Sequence, residues 1–323
     1  MVVTVSDEDG LEGWGEAAPN RYYGESVETV VAALESFAPI VRDADPMSLE
    51  ETESRIDAAL ERNSSAKSAI SAALHDIVGK RLGIPVHRLW GLTADKTPES
   101  SFTIAIADND VLAERVREAG QYPILKIKLG TDRDAEILRI IRDAAPEKRL
   151  RVDANAAWTP EHAADMVALL SENRVEMLEQ PVEAKNIDGL RFVKERSPIP
   201  VFADESCLVA TDIPRLAGAV DGINIKLAKC GGLREALRMT HVARAHGMSV
   251  MAGCMIESSL GISAIAQIAP LLDTADFDGA ALLSDDPYRG ATINGGRIRL
   301  TSGPGLGVER NENDASRKRN SRG

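Results

Sequence analysis

Cysteine is scarce in this sequence. Its 323 residues contain three cysteines, Cys207, Cys230 and Cys254, and no two of them form a C-x-x-C pair. A sparse, odd number of cysteines argues against a disulfide scaffold and is typical of reduced thiols in the cytoplasm. We therefore expect a cytoplasmic protein.

Long apolar runs are also missing. No run approaches the ~18 residues that a membrane-spanning helix needs. The opening stretch, "MVVTVSDEDGLEGWGEAAP", lacks the basic start and the apolar core of a signal peptide. We therefore expect no membrane span and no membrane partner.

Basic charge is in deficit. The chain has 38 basic and 50 acidic side chains, which gives a formal net charge of −12. Nucleic acid is therefore not expected as a main ligand, because phosphate binding needs a basic footprint. The hydrophobic content of 44% is ordinary for a globular protein. This length allows one large domain with a smaller one beside it.

Residues 1–98 form the first predicted domain, an α+β domain. It begins with two short strands joined by a "DEDG" turn and continues with helical periodicity that stops at Gly83. The predicted helices cover residues 26–42, 48–62 and 66–82.

Residues 99–308 have a different pattern, in which short apolar strands alternate with amphipathic helices. Alternating strands and helices with near-continuous apolar strands predict a parallel sheet covered by helices. Residues 309–323 are polar, and we expect a disordered tail there. The predicted strands contain "FTIAI", "ILKIKL", "LRVDAN", "VEMLEQP", "PVFADES", "DGINIKL" and "MSVMAG", with a weaker eighth near "FDGAALL".

The number of strands favours an α/β fold of the (β/α)₈ TIM-barrel type with an N-terminal α+β capping domain. An open doubly wound sheet is disfavoured, because no G-x-G-x-x-G follows an early strand. In a barrel of this kind the active site lies at the carboxyl ends of the strands.

Two lysines at the end of the second barrel strand raise the question of function. Lys126 and Lys128 in "ILKIKLG" are two residues apart, so they share one face of an otherwise apolar strand. A solvated edge strand would explain them, but a buried strand would need paired or neutralised ammonium groups. Lys226 ends the sixth strand, four strands away and therefore on the opposite wall of an eight-stranded ring.

Three acids end the strands between these lysines. Asp153, Glu179 and Asp204 follow at spacings of 25 to 26 residues, the length of one strand–helix unit. Converging carboxylates repel one another, and a hard cation with all-oxygen ligands relieves the repulsion. The pattern predicts a Mg²⁺ site, with Mn²⁺ possible. Each acid alone could instead be a helix cap or a salt-bridge partner.

This arrangement predicts an epimerase or racemase. A divalent cation on a substrate carboxylate stabilises the enediolate that forms when the α-proton leaves. Lys128 and Lys226 would take the proton from one face and return one to the other. We expect the cation and the neighbouring ammonium group to lower the pKa of each lysine.

The motifs "LKIKLG", "RVDANAAW", "LEQP", "FADES" and "INIKLAKCGG" resemble those of the mandelate racemase and muconate lactonising subgroup of the enolase superfamily. Such enzymes use a Lys or His base with Mg²⁺. The resemblance implies that Lys128 and Lys226 are the acid/base catalysts and that Lys126 contacts the substrate carboxylate. It implies Asp153, Glu179 and Asp204 as the Mg²⁺ ligands. Lys229, in "KLAKCGG", is the weaker rival of Lys226.

Asp276 and Asp278 in "ADFDGA" suggest a substrate with a free amine. They are two residues apart and the sequence shows no obvious basic partner for them. A helix cap or a solvated turn is the alternative. The pair resembles a D-x-D in dipeptide epimerases of the superfamily, where it binds the N-terminal ammonium of the dipeptide.

A loop of the first domain, "PNRYYGES", suggests the other end of the substrate. In the family this loop covers the barrel mouth, and Arg21 resembles an arginine that binds a glutamate side chain in Ala-Glu epimerases. A solvated loop arginine is the alternative. Together these features imply an L-Ala-Glu dipeptide as substrate. Further substrate contacts are expected from Thr103, Cys254, Met255 and Ile256.

Other functions fit the same barrel. Muconate cycloisomerase, o-succinylbenzoate synthase and N-acylamino acid racemase keep the fold and the lysines, and a barrel that binds a carboxylate ligand without turnover is a non-enzymatic alternative. The resemblance also implies a possible homo-oligomer. The chain starts inside what resembles the second strand of the family's first domain, so we expect the first strand to be missing.

Overall fold

The computed structural model describes residues 1–311. The first domain pairs an antiparallel hairpin with helices, as the sequence predicts. Its strands pair from Val2 opposite Glu16 to Ser6 opposite Glu12. Its elements are β1 (Val2–Ser6), β2 (Glu12–Glu16), α1 (Val27–Arg42), α2 (Leu49–Ala59), α3 (Ser64–Leu82) and α4 (Val86–Leu89).

The hairpin lies directly on α3 because two glycines of β2 allow it. A Cβ atom on Gly13 would lie 2.0 Å from the carbonyl oxygen of Ala73, and one on Gly15 would lie 1.9 Å from that of Ala69. Small residues on both sides therefore let backbone meet backbone. Helix α3 is buried around most of its surface and ends at Gly83, whose φ is +70°.

The second domain is a barrel of eight parallel strands in sequential order. Its ends meet where Ser101 N donates to Ala275 O at 3.0 Å, beside a parallel bridge between Ser100 and Ala275. The strands are β3 (Phe102–Ile104), β4 (Ile124–Lys128), β5 (Arg149–Asp153), β6 (Val175–Glu179), β7 (Val201–Ala203), β8 (Gly222–Ile225), β9 (Ser249–Gly253) and β10 (Thr274–Asp276).

Helices follow the barrel strands and cover the outside of the sheet. Apolar side chains on the outward face of the strands join one large core cluster with the helices. Inside the barrel, Met177, Phe202 and Met251 form a separate small cluster. The predicted fold class is confirmed. The helices are α5 (Asn109–Glu118), α6 (Asp134–Ala144), α7 (Pro160–Glu172), α8 (Ile187–Arg196), α9 (Ile213–Leu216), α10 (Leu227–Cys230), α11 (Leu233–Ala245) and α12 (Ser259–Ala266).

The strand register sets the polar strand ends side by side. Lys128 on β4 lies opposite Asp153 on β5, and Asp153 lies opposite Glu179 on β6. Since carboxyl ends of parallel strands share one edge of the sheet, these three side chains form one layer at the mouth of the barrel.

The eighth strand differs from the predicted position. Strand β10 ends at Asp276, and "FDGAALL" contributes a 3₁₀ turn, Gly279–Leu282, instead. The backbone leaves the sheet because Phe277 N donates to Ser100 Oγ at 2.8 Å and Gly279 N to Cys254 Sγ at 3.3 Å. An apolar run alone did not distinguish a strand from a turn that is largely exposed beyond Gly279.

The C-terminal residues return to the first domain. Leu306 N donates to the Asp76 carboxylate of α3 at 2.8 Å, and Val86 N donates to Gly305 O at 2.9 Å. The first two residues of the predicted tail instead form a strand, β14 (Glu309–Arg310), which pairs with β11 (Tyr288–Arg289). Asn311 N then donates to Pro287 O at 2.9 Å, and residues 312–323 lie outside the described part of the chain. The added strands are β11 (Tyr288–Arg289), β12 (Thr292–Asn294), β13 (Arg297–Arg299) and β14 (Glu309–Arg310).

None of the helices within residues 1–311 is both long and apolar enough to cross a membrane.

Candidate active site

A cavity of about 720 Å³ lies at the carboxyl ends of the barrel strands. The first domain covers one side of it with residues of the loop at 17–23. Asp153 and Glu179 lie beneath the cavity and are fully buried. The predicted site residues that line the cavity are Thr103, Lys126, Lys128, Asp204, Lys226, Cys254, Met255, Ile256, Asp276 and Asp278.

Lys126 is buried and lies among three carboxylates. Its Nζ is 2.9 Å from Asp276 Oδ2, 2.9 Å from Glu179 Oε2 and 3.1 Å from Asp153 Oδ2. Burial acts to lower the pKa of Lys126, but the surrounding carboxylates, Asp276 first, raise it well above its usual value. The ammonium group is therefore tolerated in the barrel interior because carboxylates surround it.

Lys128 and Lys226 occupy opposite walls, since β4 and β8 are four strands apart in the barrel. Lys128 Nζ donates to Asp153 Oδ2 at 2.7 Å, and Lys226 Nζ donates to Asp204 Oδ2 at 2.8 Å. Both lysines line the same cavity. The arrangement can present an amine to each side of a bound molecule.

The pKa of Lys226 is raised and not lowered, contrary to the expectation from the sequence. Burial acts to lower the pKa of Lys226, but the Asp204, Glu179 and Asp153 carboxylates together raise it above its usual value. The expected lowering assumed a bound cation, whose positive charge disfavours the ammonium form. The carboxylates stabilise the ammonium form and so raise the pKa of Lys226.

The pKa values of the three predicted metal-binding acids are shifted in different directions. Burial acts to raise the pKa of Asp153, but Lys126 and Lys128 hold it at about 2. Burial also opposes ionisation of Asp204, and the neighbouring lysines lower its pKa nevertheless. Burial and the Asp153 charge raise the pKa of Glu179. Glu179 is therefore the acid with the least charge compensation.

The residues fit a hard cation in chemistry but are not assembled around one. Glu179 Oε2 and Asn224 Oδ1 are buried and accept no hydrogen bond, although Lys126 Nζ is an ion-pair neighbour of the former. Within residues 1–311, no three acidic, histidine or cysteine side chains already have metal-site geometry. Oxygen acceptors in need of a partner and a layer of carboxylates suit Mg²⁺ or Mn²⁺.

Lys229 contacts Asp204 on the side that faces away from the cavity. Its side chain is buried, and Nζ donates to the carbonyl oxygens of Asp204 at 2.7 Å, Asn224 at 3.0 Å and Cys207 at 3.2 Å, as well as to the Asp204 carboxylate. It lies on α10, below the cavity surface. The ranking of Lys226 above it as the residue that faces the cavity agrees with this placement.

Asp276 has a basic partner, which the sequence did not reveal. Lys126 Nζ lies 2.9 Å from Asp276 Oδ2, and Ser101 Oγ donates to Oδ1 at 3.0 Å. The expectation of no basic partner is therefore wrong, because the strand that carries Lys126 is far away in sequence but two strands away in the closed barrel.

Asp278 faces the same side of the cavity. Its Oδ2 accepts a 2.6 Å hydrogen bond from Thr103 N. Burial and the Asp276 charge raise the pKa of Asp278 to about 6. Its side chain makes no cap bond to the following 3₁₀ turn, so the helix-cap interpretation is not supported.

Arg21 lies on the rim and not in the cavity wall. It begins a 3₁₀ turn, Arg21–Tyr23, and its side chain is exposed. The cavity is instead lined here by Asn20, Tyr22 and Tyr23. On the other side of the mouth, the Ile256 side chain is 66% exposed.

The loop that joins Glu16 to Glu25 and covers the cavity, here called the covering loop, is held at each end by a carboxylate. Glu16 accepts hydrogen bonds from Ser258 N and Gly261 N at 3.1 Å, at the start of α12 in the barrel. Glu25 accepts one from Ser65 N at 3.1 Å, at the start of α3. Both contacts satisfy amide groups that helices leave unpaired at their N-termini.

Asn155 and Glu205 also line the cavity and were not predicted from the sequence. Asn155 accepts from Lys128 Nζ at 2.9 Å and donates to Glu205 Oε1 at 3.1 Å. Burial and Asp204 raise the pKa of Glu205 to about 7. The signal was available, since each residue stands within two positions of a strand-end aspartate.

A second cavity, of about 870 Å³, lies within the first domain between β1, α1 and α3. Its wall is largely aliphatic, with Arg42 and Arg81 at its edge, and it contains none of the predicted site residues. The chemistry therefore belongs to the cavity at the barrel mouth.

Comparison with known families agrees with the geometry. Residues 1–91 match the N-terminal domain of the mandelate racemase / muconate lactonizing enzyme family, and residues 110–314 match the enolase C-terminal domain-like family. The chain belongs to this family. The L-Ala-D/L-Glu epimerase of Bacteroides thetaiotaomicron is 43% identical over 302 residues, which are 93% of this chain and 78% of that relative.

Solved structures share the whole architecture of this family member. A dipeptide epimerase from Enterococcus faecalis V583, complexed with Mg and the dipeptide L-Leu-L-Tyr, superposes with a TM-score of 0.91 at 32% identity, covering 96% of this chain and 91% of that one. A substrate-liganded L-Ala-D/L-Glu epimerase from Bacillus subtilis gives a TM-score of 0.91 at 30% identity, covering 95% and 90%.

Proposed function

We propose that this family member is a Mg²⁺-dependent dipeptide epimerase. It would invert the α-carbon of the C-terminal residue of a dipeptide such as L-Ala-L-Glu or L-Ala-D-Glu. The observation that carries the proposal is the placement of Lys128 and Lys226 on opposite walls of one cavity, each bonded to a buried strand-end carboxylate.

The two lysines would perform a 1,1-proton transfer. One neutral amine takes the proton from Cα, and the electron pair of the broken C–H bond moves into the substrate carboxylate. The opposite ammonium then donates a proton to the other face, which inverts the centre. For the reverse reaction the two lysines exchange roles. Lys126 would contact the substrate carboxylate, where this charge develops.

Asp153, Glu179 and Asp204 would hold the metal ion. When bound, Mg²⁺ would supply positive charge beside the substrate carboxylate. Glu179 Oε2 is buried with no hydrogen bond and only the Lys126 ammonium group beside it, which supports this assignment, and the contacts of Lys126 would have to yield to the ion. Mn²⁺ has a compatible ligand preference.

The acidic side of the cavity supports a substrate with a free amine. Asp276 and Asp278 would bind the N-terminal ammonium, with Thr103 and Cys254 beside them. The same negative charge would repel a dianionic substrate such as a muconate, so no feature of the cavity favours the cycloisomerase alternative. Arg21 could pair with a distal carboxylate only if its side chain turned inward from the rim.

Deuterium exchange tests the proposal. Purified protein with Mg²⁺ is incubated in D₂O with L-Ala-L-Glu or L-Ala-D-Glu, and the Glu α-proton signal is followed by NMR. We expect loss of that signal and appearance of the other epimer. Failure to exchange either isomer would end the case for Ala-Glu, and failure across a panel of L-Ala-X dipeptides would end the case for dipeptides.

A different experimental result would support the non-enzymatic alternative. If Lys128→Ala and Lys226→Ala bind a dipeptide as the parent does and neither changes any rate, the barrel binds without turnover.

Two further aspects belong to the proposal. A cytoplasmic location is supported by the free cysteines, of which Cys207 and Cys230 are buried. A homo-oligomer is expected from the family, and light scattering of the purified protein measures it.

A further inference from the structure

Asn155 bridges Lys128 and Glu205 at the wall of the cavity. Its Oδ1 accepts a 2.9 Å hydrogen bond from Lys128 Nζ, and its Nδ2 donates a 3.1 Å hydrogen bond to Glu205 Oε1. Its backbone lies in the left-handed region with φ of +43°, and its N–H donates to Asp153 Oδ1 at 2.9 Å. Asn155 is therefore held by two side-chain hydrogen bonds and one backbone hydrogen bond.

Glu205 determines which way the Asn155 amide points. Glu205 Oε1 accepts this bond when the acid is ionised, and as a carbonyl oxygen when Oε2 carries the proton, so it faces the NH₂ end of the amide. The carbonyl end, Oδ1, must then face Lys128, whose Nζ only donates when charged. Both partners thus require the same amide orientation, and Glu205 and Asn155 act as one unit.

This unit restricts the direction of the Lys128 amine. A neutral amine has two N–H bonds and one lone pair. Asp153 Oδ2 at 2.7 Å and Asn155 Oδ1 at 2.9 Å can accept both N–H bonds. The lone pair then takes the remaining tetrahedral position, on the side of Nζ that is left to the cavity.

We propose that Asn155 is a positioning residue that, with Glu205, aims the lone pair of Lys128 at the substrate α-carbon. The inference rests on the proposed function, since it assigns a role within the same reaction. Lys226, on the opposite wall, donates to Asp204 instead. Asn155 should therefore affect proton removal from one face of the substrate only.

A purely structural role for Asn155 makes a different prediction. Asparagine tolerates positive φ better than most residues, so Asn155 could be present for its backbone alone. Glycine adopts this conformation without strain and lacks the side-chain acceptor. Asn155→Gly therefore separates the two roles.

The experiment measures α-proton exchange in D₂O from each of the two epimers separately. Lys128→Ala first identifies the epimer that Lys128 deprotonates, because only its exchange should stop. For Asn155→Gly we expect exchange from that epimer to fall about tenfold, the effect of one hydrogen bond. Exchange from the other epimer should stay within about twofold of the parent.

Asn63→Gly is the matched control, since Asn63 also has positive φ, 53°, and lies away from the cavity. It should leave both exchange rates unchanged. An equal loss from both epimers in Asn155→Gly, or no loss, would overturn the inference. Absence of exchange in the parent would overturn the proposed function, and the inference with it.

Glu205 provides a second test that does not alter the strained backbone. Glu205→Gln keeps an oxygen that can accept from Asn155 Nδ2, whereas Glu205→Leu removes it. We expect Glu205→Leu to show the same one-sided loss as Asn155→Gly and Glu205→Gln to show a smaller one. Identical behaviour of the two Glu205 variants would contradict the role given to the amide orientation.

Discussion

Lys126 and Asp276 are ion-paired inside the barrel, with 2.9 Å between Nζ and Oδ2. The strand that carries Thr103 lies between their two strands, so the pair spans the interior side of β3. Because Asp276 already compensates a lysine, Asp278 is the more available carboxylate for a substrate ammonium.

Substrate affinity should depend on the protonation of Asp278. Its pKa is raised to about 6, so the carboxylate is lost at a higher pH than for an ordinary aspartate. We expect KM for a dipeptide to rise as the pH falls through about 6, because protonated Asp278 has no charge to attract the ammonium.

Asp278→Asn tests this dependence. It should flatten the KM profile near pH 6 and lower kcat/KM about tenfold to a hundredfold, the effect of one hydrogen bond to a charged group. An N-acetylated dipeptide lacks the ammonium and is the control, since parent and variant should treat it alike. An unchanged KM profile would assign the ammonium contact elsewhere.

Removal of either catalytic lysine should abolish epimerisation but preserve half of the exchange chemistry. Lys128→Ala and Lys226→Ala should each lower the epimerisation rate by about 10²–10⁴, the range for a positioned acid/base group. Each variant should still exchange the α-proton of the epimer that faces the remaining lysine. A variant that inverts the centre at the parental rate would exclude that lysine from the reaction.

Lys229→Met should destabilise the barrel. The change leaves Asp204 buried with one of its ammonium partners lost, which typically costs about 3 kcal/mol or more in the free energy of unfolding. Urea denaturation measures the loss. Lys194→Met is the control, because the Lys194–Asp221 pair is partly exposed at 3.2 Å and should contribute less than about 1 kcal/mol. Equal losses in both variants would contradict a special role for Lys229.

Gly15→Ala should separate the hairpin from α3. The added Cβ would lie 1.9 Å from the Ala69 carbonyl oxygen, which is backbone and has little freedom to move. We expect a loss of about 3 kcal/mol or more in the free energy of unfolding, at the upper end for overpacking. Gly120→Ala meets no atom within 4 Å and should change the stability little. Comparable stability of the two variants would show that the hairpin can shift.

Much of the fold follows from local pattern. The hairpin, the long helices and seven barrel strands have apolar periodicity or turn residues that one segment can display alone. The eighth strand was misplaced because the backbone of "FDGAALL" is held in a turn by Ser100 and Cys254, which lie next to other strands. These contacts join residues far apart in sequence, so the apolar run alone could not reveal them.

The candidate site, like the fold, could be predicted from the sequence only in part. The positions of Lys128, Asp153 and Lys226 at strand ends could be inferred from spacing, because barrel topology converts spacing into proximity. The Lys126–Asp276 pair could not, since its members are 150 residues apart and meet only in the closed barrel. The exposure of Arg21 depends on how the loop around it turns, which no periodicity encodes.

The double anchorage of the covering loop separates its fold from its chemistry. Glu16 and Glu25 attach it to helices of two different domains, so its ends are fixed independently of the exposed residues Arg21 and Tyr22 at its tip. That short segment is therefore interchangeable in principle. Grafting it from a relative with another preference should retarget the enzyme while the proton-transfer machinery stays as it is.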